Sequence, residues 1–178
     1  MMSRLFRCAV VLLVVLLVMP ATSARAQTTP TTLAGGHSFL RDLGSAGTPA
    51  TDYPSGAFAT VTRQVGPRRL SIVGDLGMNS RENGAIEVVR LRSFLAGARF
   101  DVRSLWKACL FGQALVGVER FSEPGFAESG TAFQPGAGID LGLWRGLGVR
   151  GQTDYRIVRS EGTTFRSLRV NVGAMLAF

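Results

Sequence analysis

The chain of 178 residues holds a single histidine, His37, followed directly by Ser38. A histidine, a serine and a carboxylate are the parts of a hydrolytic or acyl-transfer site, with the imidazole taking the proton of the attacking hydroxyl. Neighbouring residues of a strand point to opposite faces, so on a strand His37 and Ser38 cannot serve one site. His37 would have to reach another serine and an acid across the fold, and a polar interior histidine is the expected reading. Metal chemistry has less to work with. One histidine and, beyond the N-terminal segment, one cysteine (Cys109) fall short of a ligand set. Cys109 alone makes no internal disulfide and is expected as a small apolar filler. Gly35-Gly36 and Gly136-x-Gly138 precede no helical pattern, so no phosphate-cradling loop and no cofactor are expected. The glycines suit bends and a crowded interior instead.

Charge is the remaining chemistry. Asp75, Asp101, Glu119, Asp140 and Asp154 stand against Arg63, Arg99, Arg150, Arg156 and Arg169, each on the polar side of an alternating segment. Five acids and five bases facing one way predict a paired interior network, joined by Gln113, Gln134, Gln152 and Asn171. In a low-dielectric space such groups satisfy one another, where an unpaired charge is costly. On a soluble protein the same residues would form a solvated exterior.

The elements that must position them are strands. From Ser167 the even positions read Leu168, Val170, Val172, Ala174, Leu176 and Phe178; the odd ones read Ser167, Arg169, Asn171, Gly173, Met175 and Ala177. Strict alternation of this kind means a strand with one apolar and one mixed face. Ten residues at about 3.3 Å each, tilted near 45°, cover roughly 23 Å, close to the apolar band of a membrane barrel. Leu147, Val149, Gly151, Thr153, Tyr155 and Ile157 oppose Gly148, Arg150, Gln152, Asp154 and Arg156 in the same way. So do Phe133–Leu143 against Gln134–Gly142, Phe94–Val102 against Ser93–Asp101, and Leu70–Leu76 against Ser71–Gly77. Ala108–Phe121 is apolar on both sides except at Gln113 and Glu119, and Thr32–Arg41 and Gly56–Gln64 are weaker strands.

Two classes of connection alternate between them. Leu43–Ser55, Asn79–Ile86, Ser122–Gly130 and Arg159–Thr164 read as longer polar loops, whereas Val65–Arg68, Arg103–Trp106 and Trp144–Gly146 read as tight turns. Trp106, Trp144 and Phe178 then fall at the short-turn end, and Phe121, Phe133, Tyr155 and Phe165 nearer the long-loop end. Two aromatic girdles are expected, with Trp106, Trp144, Tyr155 and Phe178 at the membrane interface.

Residues 1–26 read as a signal peptide. Arg4 and Arg7 precede the apolar run Ala9–Met19, Pro20 ends it, and Ala24-Arg25-Ala26 supplies small residues before a cut between Ala26 and Gln27. The run is shorter than the roughly 20 residues of a spanning helix. Removal of Arg4, Arg7 and Arg25 lowers the net charge from +8 to +5. The arginines that remain are scattered, unlike a phosphate-binding stripe, and an exported protein rarely meets nucleic acid, so no nucleic-acid partner is expected.

The closing strand Leu168–Phe178 (LRVNVGAMLAF), Phe111–Val118 (FGQALVGV), Phe133–Leu141 (FQPGAGIDL) and Leu147–Arg156 (LGVRGQTDYR) occur in that order. In this the sequence resembles the small outer-membrane β-barrel family, the eight-stranded OmpA/OmpX-like barrels of the porin family, over nearly all of Thr32–Phe178. The resemblance implies an all-β fold: an antiparallel up-and-down transmembrane β-barrel of about eight strands, occupying residues 27–178. It further implies a cell outer-membrane location, lipid contact, and a C-terminal strand read by the barrel-assembly machinery. An interior only just wide enough for side chains argues against a wide pore. The expected role is structural, surface-interacting or narrowly permeating, with function in the longer extracellular loops. A lipid-modifying barrel enzyme using His37 and a soluble periplasmic lipocalin-like binder are the alternatives.

Overall fold

The computed structural model describes residues 31–44, 49–65, 69–83, 87–160 and 162–178; residues 1–26, expected as a signal peptide, and the expected cut between Ala26 and Gln27 lie outside them. Nine strands follow in chain order: β1 (Thr31–Asp42), β2 (Thr51–Tyr53), β3 (Ser55–Gln64), β4 (Leu70–Asn83), β5 (Glu87–Leu105), β6 (Ala108–Glu123), β7 (Phe126–Trp144), β8 (Leu147–Ser160) and β9 (Thr163–Ala177). Each pairs antiparallel with its neighbours, and β1 closes onto β9 from Thr32↔Ala177 to Asp42↔Ser167. Both β2 and β3 pair with β1, one with its end and one with its start. They form one stave interrupted at Pro54, which has no N–H to give to a ladder. The result is a closed eight-stave up-and-down barrel.

The staves are staggered. Following outward-facing register partners from Phe133 through Val116, Ala96, Gly74, Val61, Leu33, Leu176 and Leu147 leads back to β7 at Trp144, not at Phe133. A sheet closed with such a shift must tilt its strands against the barrel axis. Near the seam the fit is close. A Cβ on Gly36 would sit 2.3 Å from the Val172 oxygen, and one on Gly173 would sit 2.2 Å from the Gly35 oxygen.

Alternation sets the two surfaces. In β9, Ser167, Arg169 and Asn171 are buried while Leu168, Val170 and Val172 are exposed. The same pattern runs through β4, β5, β7 and β8, so the barrel has a polar interior and an apolar exterior, the inverse of a soluble barrel. Two apolar clusters do lie inside. Val73, Leu95, Leu115, Ala132 and Val158 form one, and Leu40, Tyr53 and Leu91 with Val89 and Phe121 form the other.

The connections correct part of the sequence expectation. Three stretches expected as long loops are mostly strand: β4 continues to Asn83, β6 and β7 meet across Pro124-Gly125, and β8 and β9 run to Ser160 and from Thr163. Polar, glycine-containing sequence marks the point where a strand leaves lipid, but its backbone can go on pairing beyond it. The first stretch, Leu43–Ser55, itself contains β2, and residues 45–48 and 84–86 lie outside the described set. With 19 residues each, β5 and β7 extend about 63 Å along the strand, or about 44 Å along the axis at a 45° tilt. That exceeds an apolar band of about 25 Å, so their tips project beyond it.

At the opposite end tight turns join β5 to β6 across Trp106-Lys107 and β7 to β8 across Arg145-Gly146, as expected, while residues 66–68 of the expected turn Val65–Arg68 lie outside the described set. Arg145 and Gly146 both have positive φ (46° and 82°), the geometry of a two-residue hairpin whose twist matches the strands. Gly146 has a further reason to lack a side chain, because a Cβ there would lie 2.4 Å from the Ala177 oxygen.

Candidate functional site

The barrel interior is built from inward positions of every long stave. On β8 these are Arg150, Gln152, Asp154 and Arg156; their partners come from β3, β6, β7 and β9. Arg150 donates through Nε and Nη2 to both oxygens of Asp140 on β7, at 2.7 and 2.8 Å, and through Nη1 to Thr60 on β3 at 2.8 Å. Arg99 on β5 shares Asp140 at 2.8 Å and also binds Asp101 at 2.8 Å. Phe111 on β6 lies beneath both guanidinium groups, its ring centre 3.7 Å from Arg99 Cζ and 5.3 Å from Arg150 Cζ. Two cations, two carboxylates and an aromatic ring thus form one unit.

Two further arginines repeat the principle. Arg169 on β9 binds Asp75 on β4 at 2.7 Å and Ser38 at 3.0 Å. Ser38 in turn meets Asn79, whose amide donates to the Ser38 carbonyl at 3.0 Å. Arg156 binds Glu119 on β6 and donates to Gln134 at 2.7 Å. Asp154 differs from the other interior acids. Its carboxylate accepts hydrogen bonds from the side-chain amides of Gln113 (3.1 Å), Gln152 (2.7 Å) and Asn171 (3.2 Å). All three of its hydrogen-bond donors are neutral amides, whereas the other interior acids are ion-paired directly with arginine.

Apart from Asp101, these groups are out of reach of solvent. Asp75, Asp154, Arg169 and Asn171 are 0 % exposed, Arg150 and Arg156 1 %. A continuous water channel would leave the residues along its wall exposed, so the middle of the barrel is filled by its own side chains.

Above this plug the interior opens into a cup of about 170 Å³. Leu40, Tyr53, Leu91, Phe121, Phe126 and Phe165 give it an apolar wall, and its charged wall groups are Asp42, Glu119 and Glu128. Phe121 and Phe126 meet edge to face with centroids 6.3 Å apart. Burial first, and then the Asp42 carboxylate, push the Tyr53 phenol above its ordinary pKa, so it stays a protonated hydrogen-bond donor.

Several residues lie elsewhere than expected. Arg63 is on the outer side of β3, because Phe58, Thr60 and Thr62 take the inward positions; at the rim an outward charge meets headgroups and water, so polarity does not force it inward. His37 faces outward and is exposed, while Ser38 is buried inside. The interior-histidine expectation is therefore wrong, and no catalytic pairing forms through His37 and Ser38. Phe121 and Phe165 line the cup and do not belong to an outer girdle. Trp106, Trp144 and Phe178 are 104 %, 65 % and 67 % exposed at the short-turn end, and Tyr155 sits on the outer face of β8. Phe111 and the cup's Asp42 and Glu128 were missed from sequence. Phe111 occupies the inward parity of Gln113 and Glu119, and that parity was the available signal.

No family model and no curated protein sequence matches the chain. Its fold does have counterparts among solved structures. Ail, the attachment invasion locus protein of Yersinia pestis, aligns at 18 % identity over 84 % of this chain and 99 % of its own, with a TM-score of 0.59. Neisserial surface protein A gives 13 % identity, 84 % and 97 % coverage, and a TM-score of 0.67. The N-terminal β-barrel domain of Pseudomonas aeruginosa OprF gives 8 %, 84 %, 98 % and 0.55. The chain has the fold of the small eight-stranded outer-membrane β-barrels.

Proposed function

We propose that this chain is a non-catalytic outer-membrane protein with a closed interior, which acts through the surfaces that its projecting strands present outside the cell. The observation that carries the reading is the complete burial of Arg150, Arg156 and Arg169 with their partners across the middle of the barrel. A filled interior excludes a diffusion pore and leaves the exterior, the tips of β4–β7 and the cup as the places where contact can occur. The apolar exterior, with Leu143, Val172, Val116 and Phe100 each more than half exposed, suits lipid.

In this reading residues 1–26 direct export and are cut after Ala26. The strand ending at Phe178 is presented to the barrel-assembly machinery, and Trp106, Trp144, Tyr155 and Phe178 rest at the membrane–water boundaries. Fractionation followed by liposome swelling tests it. The expected result is a protein that leaves the membrane only in detergent, migrates faster on gels before heating than after, and admits no small sugars. Release into the aqueous fraction without detergent, or sugar uptake proportional to protein, would overturn it.

A further inference from the structure

Charge is sorted by side at the projecting end of the barrel. The charged groups that line the cup are the carboxylates Asp42, Glu119 and Glu128, with Arg81, on the inward parity of β4, acting on Tyr53 from the same side. The outer surface carries arginines: Arg41 on β1, Arg90 and Arg92 on β5, Arg120 on β6, Arg159 on β8 and Arg166 on β9, all exposed. Each of four strands changes from apolar to guanidinium in a single outward step. Phe94 gives way to Arg92, Val118 to Arg120, Ile157 to Arg159 and Leu168 to Arg166. The arginines therefore stand in a belt just above the lipid-facing band.

Among the described residues most of these arginines have no ion pair. Arg41 meets Asp52 at 3.6 Å, but among the described residues none of Arg90, Arg92, Arg120, Arg159 and Arg166 is ion-paired with a carboxylate. Arg92 and Arg120 are direct cross-strand partners on the same outer face. Like charges placed opposite one another repel unless an anion lies between them. At the short-turn rim three cations have partners in the chain itself, though Arg63 has none among the described residues: Arg69 donates to the Val102 carbonyl, Lys107 to the Leu143 carbonyl, and Arg145 stacks on Trp144.

We propose that this belt is a docking surface for the phosphate groups of the outer-leaflet lipid, with Arg92 and Arg120 holding one phosphate between them. Guanidinium matches phosphate with two parallel hydrogen bonds and a weakly hydrated charge, which suits a site at the edge of the hydrocarbon. The height of the belt selects a membrane phosphate, because the groups directly below it are apolar. Each basic residue near an anionic membrane surface strengthens binding by about fivefold.

The test uses purified full-length mature protein in neutral detergent, titrated with bisphosphorylated lipid A, with chemically dephosphorylated lipid A, and with inorganic phosphate, bound lipid being counted by native mass spectrometry. The expected result is saturable binding of the bisphosphorylated lipid and weaker binding of the dephosphorylated one. Millimolar inorganic phosphate should not displace the lipid. Arg92→Gln/Arg120→Gln should weaken binding by about 25-fold, two steps of the fivefold increment, and Arg92→Lys/Arg120→Lys should restore part of it. Heat-modifiable migration of each variant shows that it has folded. Should the double Gln variant misfold, Arg159→Gln/Arg166→Gln carries the same expectation. Equal affinity for the two lipids, displacement by inorganic phosphate, or unchanged binding in folded Gln variants would overturn the proposal. So would tighter competition at these arginines by a sulfated oligosaccharide than by the lipid, since it would place the partner outside the membrane.

Discussion

Arginines inside the barrel and arginines on its projecting rim have opposite surroundings. Arg99, Arg150, Arg156 and Arg169 are buried, and each meets a carboxylate of this same chain. Arg90, Arg92, Arg120, Arg159 and Arg166 are exposed and meet none among the described residues. Both sets sit on strands that alternate in the same way, and an inward or outward step of one residue decides which set an arginine joins. The interior arginines are satisfied within the fold and close it. The rim arginines leave their charge available to something outside.

The largest expected effect comes from breaking the shared interior unit. Asp140→Ala leaves Arg150 without its carboxylate and Arg99 with Asp101 alone, and should cost about 3–5 kcal/mol, the range for removing one partner of a buried pair. Urea unfolding in lipid vesicles, followed by tryptophan fluorescence, measures it. Replacing both members of the Arg169–Asp75 pair with apolar residues (Arg169→Met/Asp75→Leu) should cost less than either single change, because no uncompensated charge is left behind. A double variant weaker than both singles would show that the pair stabilises beyond its own neutralisation.

Phe111→Leu comes next. It keeps an apolar side chain in place but removes the ring face under Arg99 and Arg150, with an expected loss of about 1–2 kcal/mol. Replacing rim arginines should be smallest. Arg159→Gln/Arg166→Gln in neutral detergent should change stability by no more than about 0.5 kcal/mol, as for surface sites without partners. A loss comparable to that of Asp140→Ala would remove the distinction between the two sets.

Much of this contrast can be read from the sequence, and the part that cannot has a physical cause. Inside the lipid band a charge can face only inward, so the parity of Asp75, Arg99, Asp140, Arg150, Asp154 and Arg169 assigns their side. Past the band that rule lapses. Arg63 could face either way, and the polar strand ends around Asn79–Asn83 and Phe126–Gly130 read as loop although their backbones stay paired. Partner identity was less legible still. Asp154 held by three amides and Phe111 under two guanidinium groups depend on which staves meet across the interior, and that follows from the stagger of the closed barrel.

Closure of the interior by its own ion pairs is tested most directly by single-channel recording in planar bilayers. The wild-type protein, inserted and shown to be folded by its gel migration, is predicted to give no resolvable current steps at moderate voltage. Asp140→Ala, if it folds, is predicted to give brief, noisy openings. Regular, long-lived steps from the wild-type barrel would contradict the account, because ions would then be passing Arg150, Arg156 and Arg169.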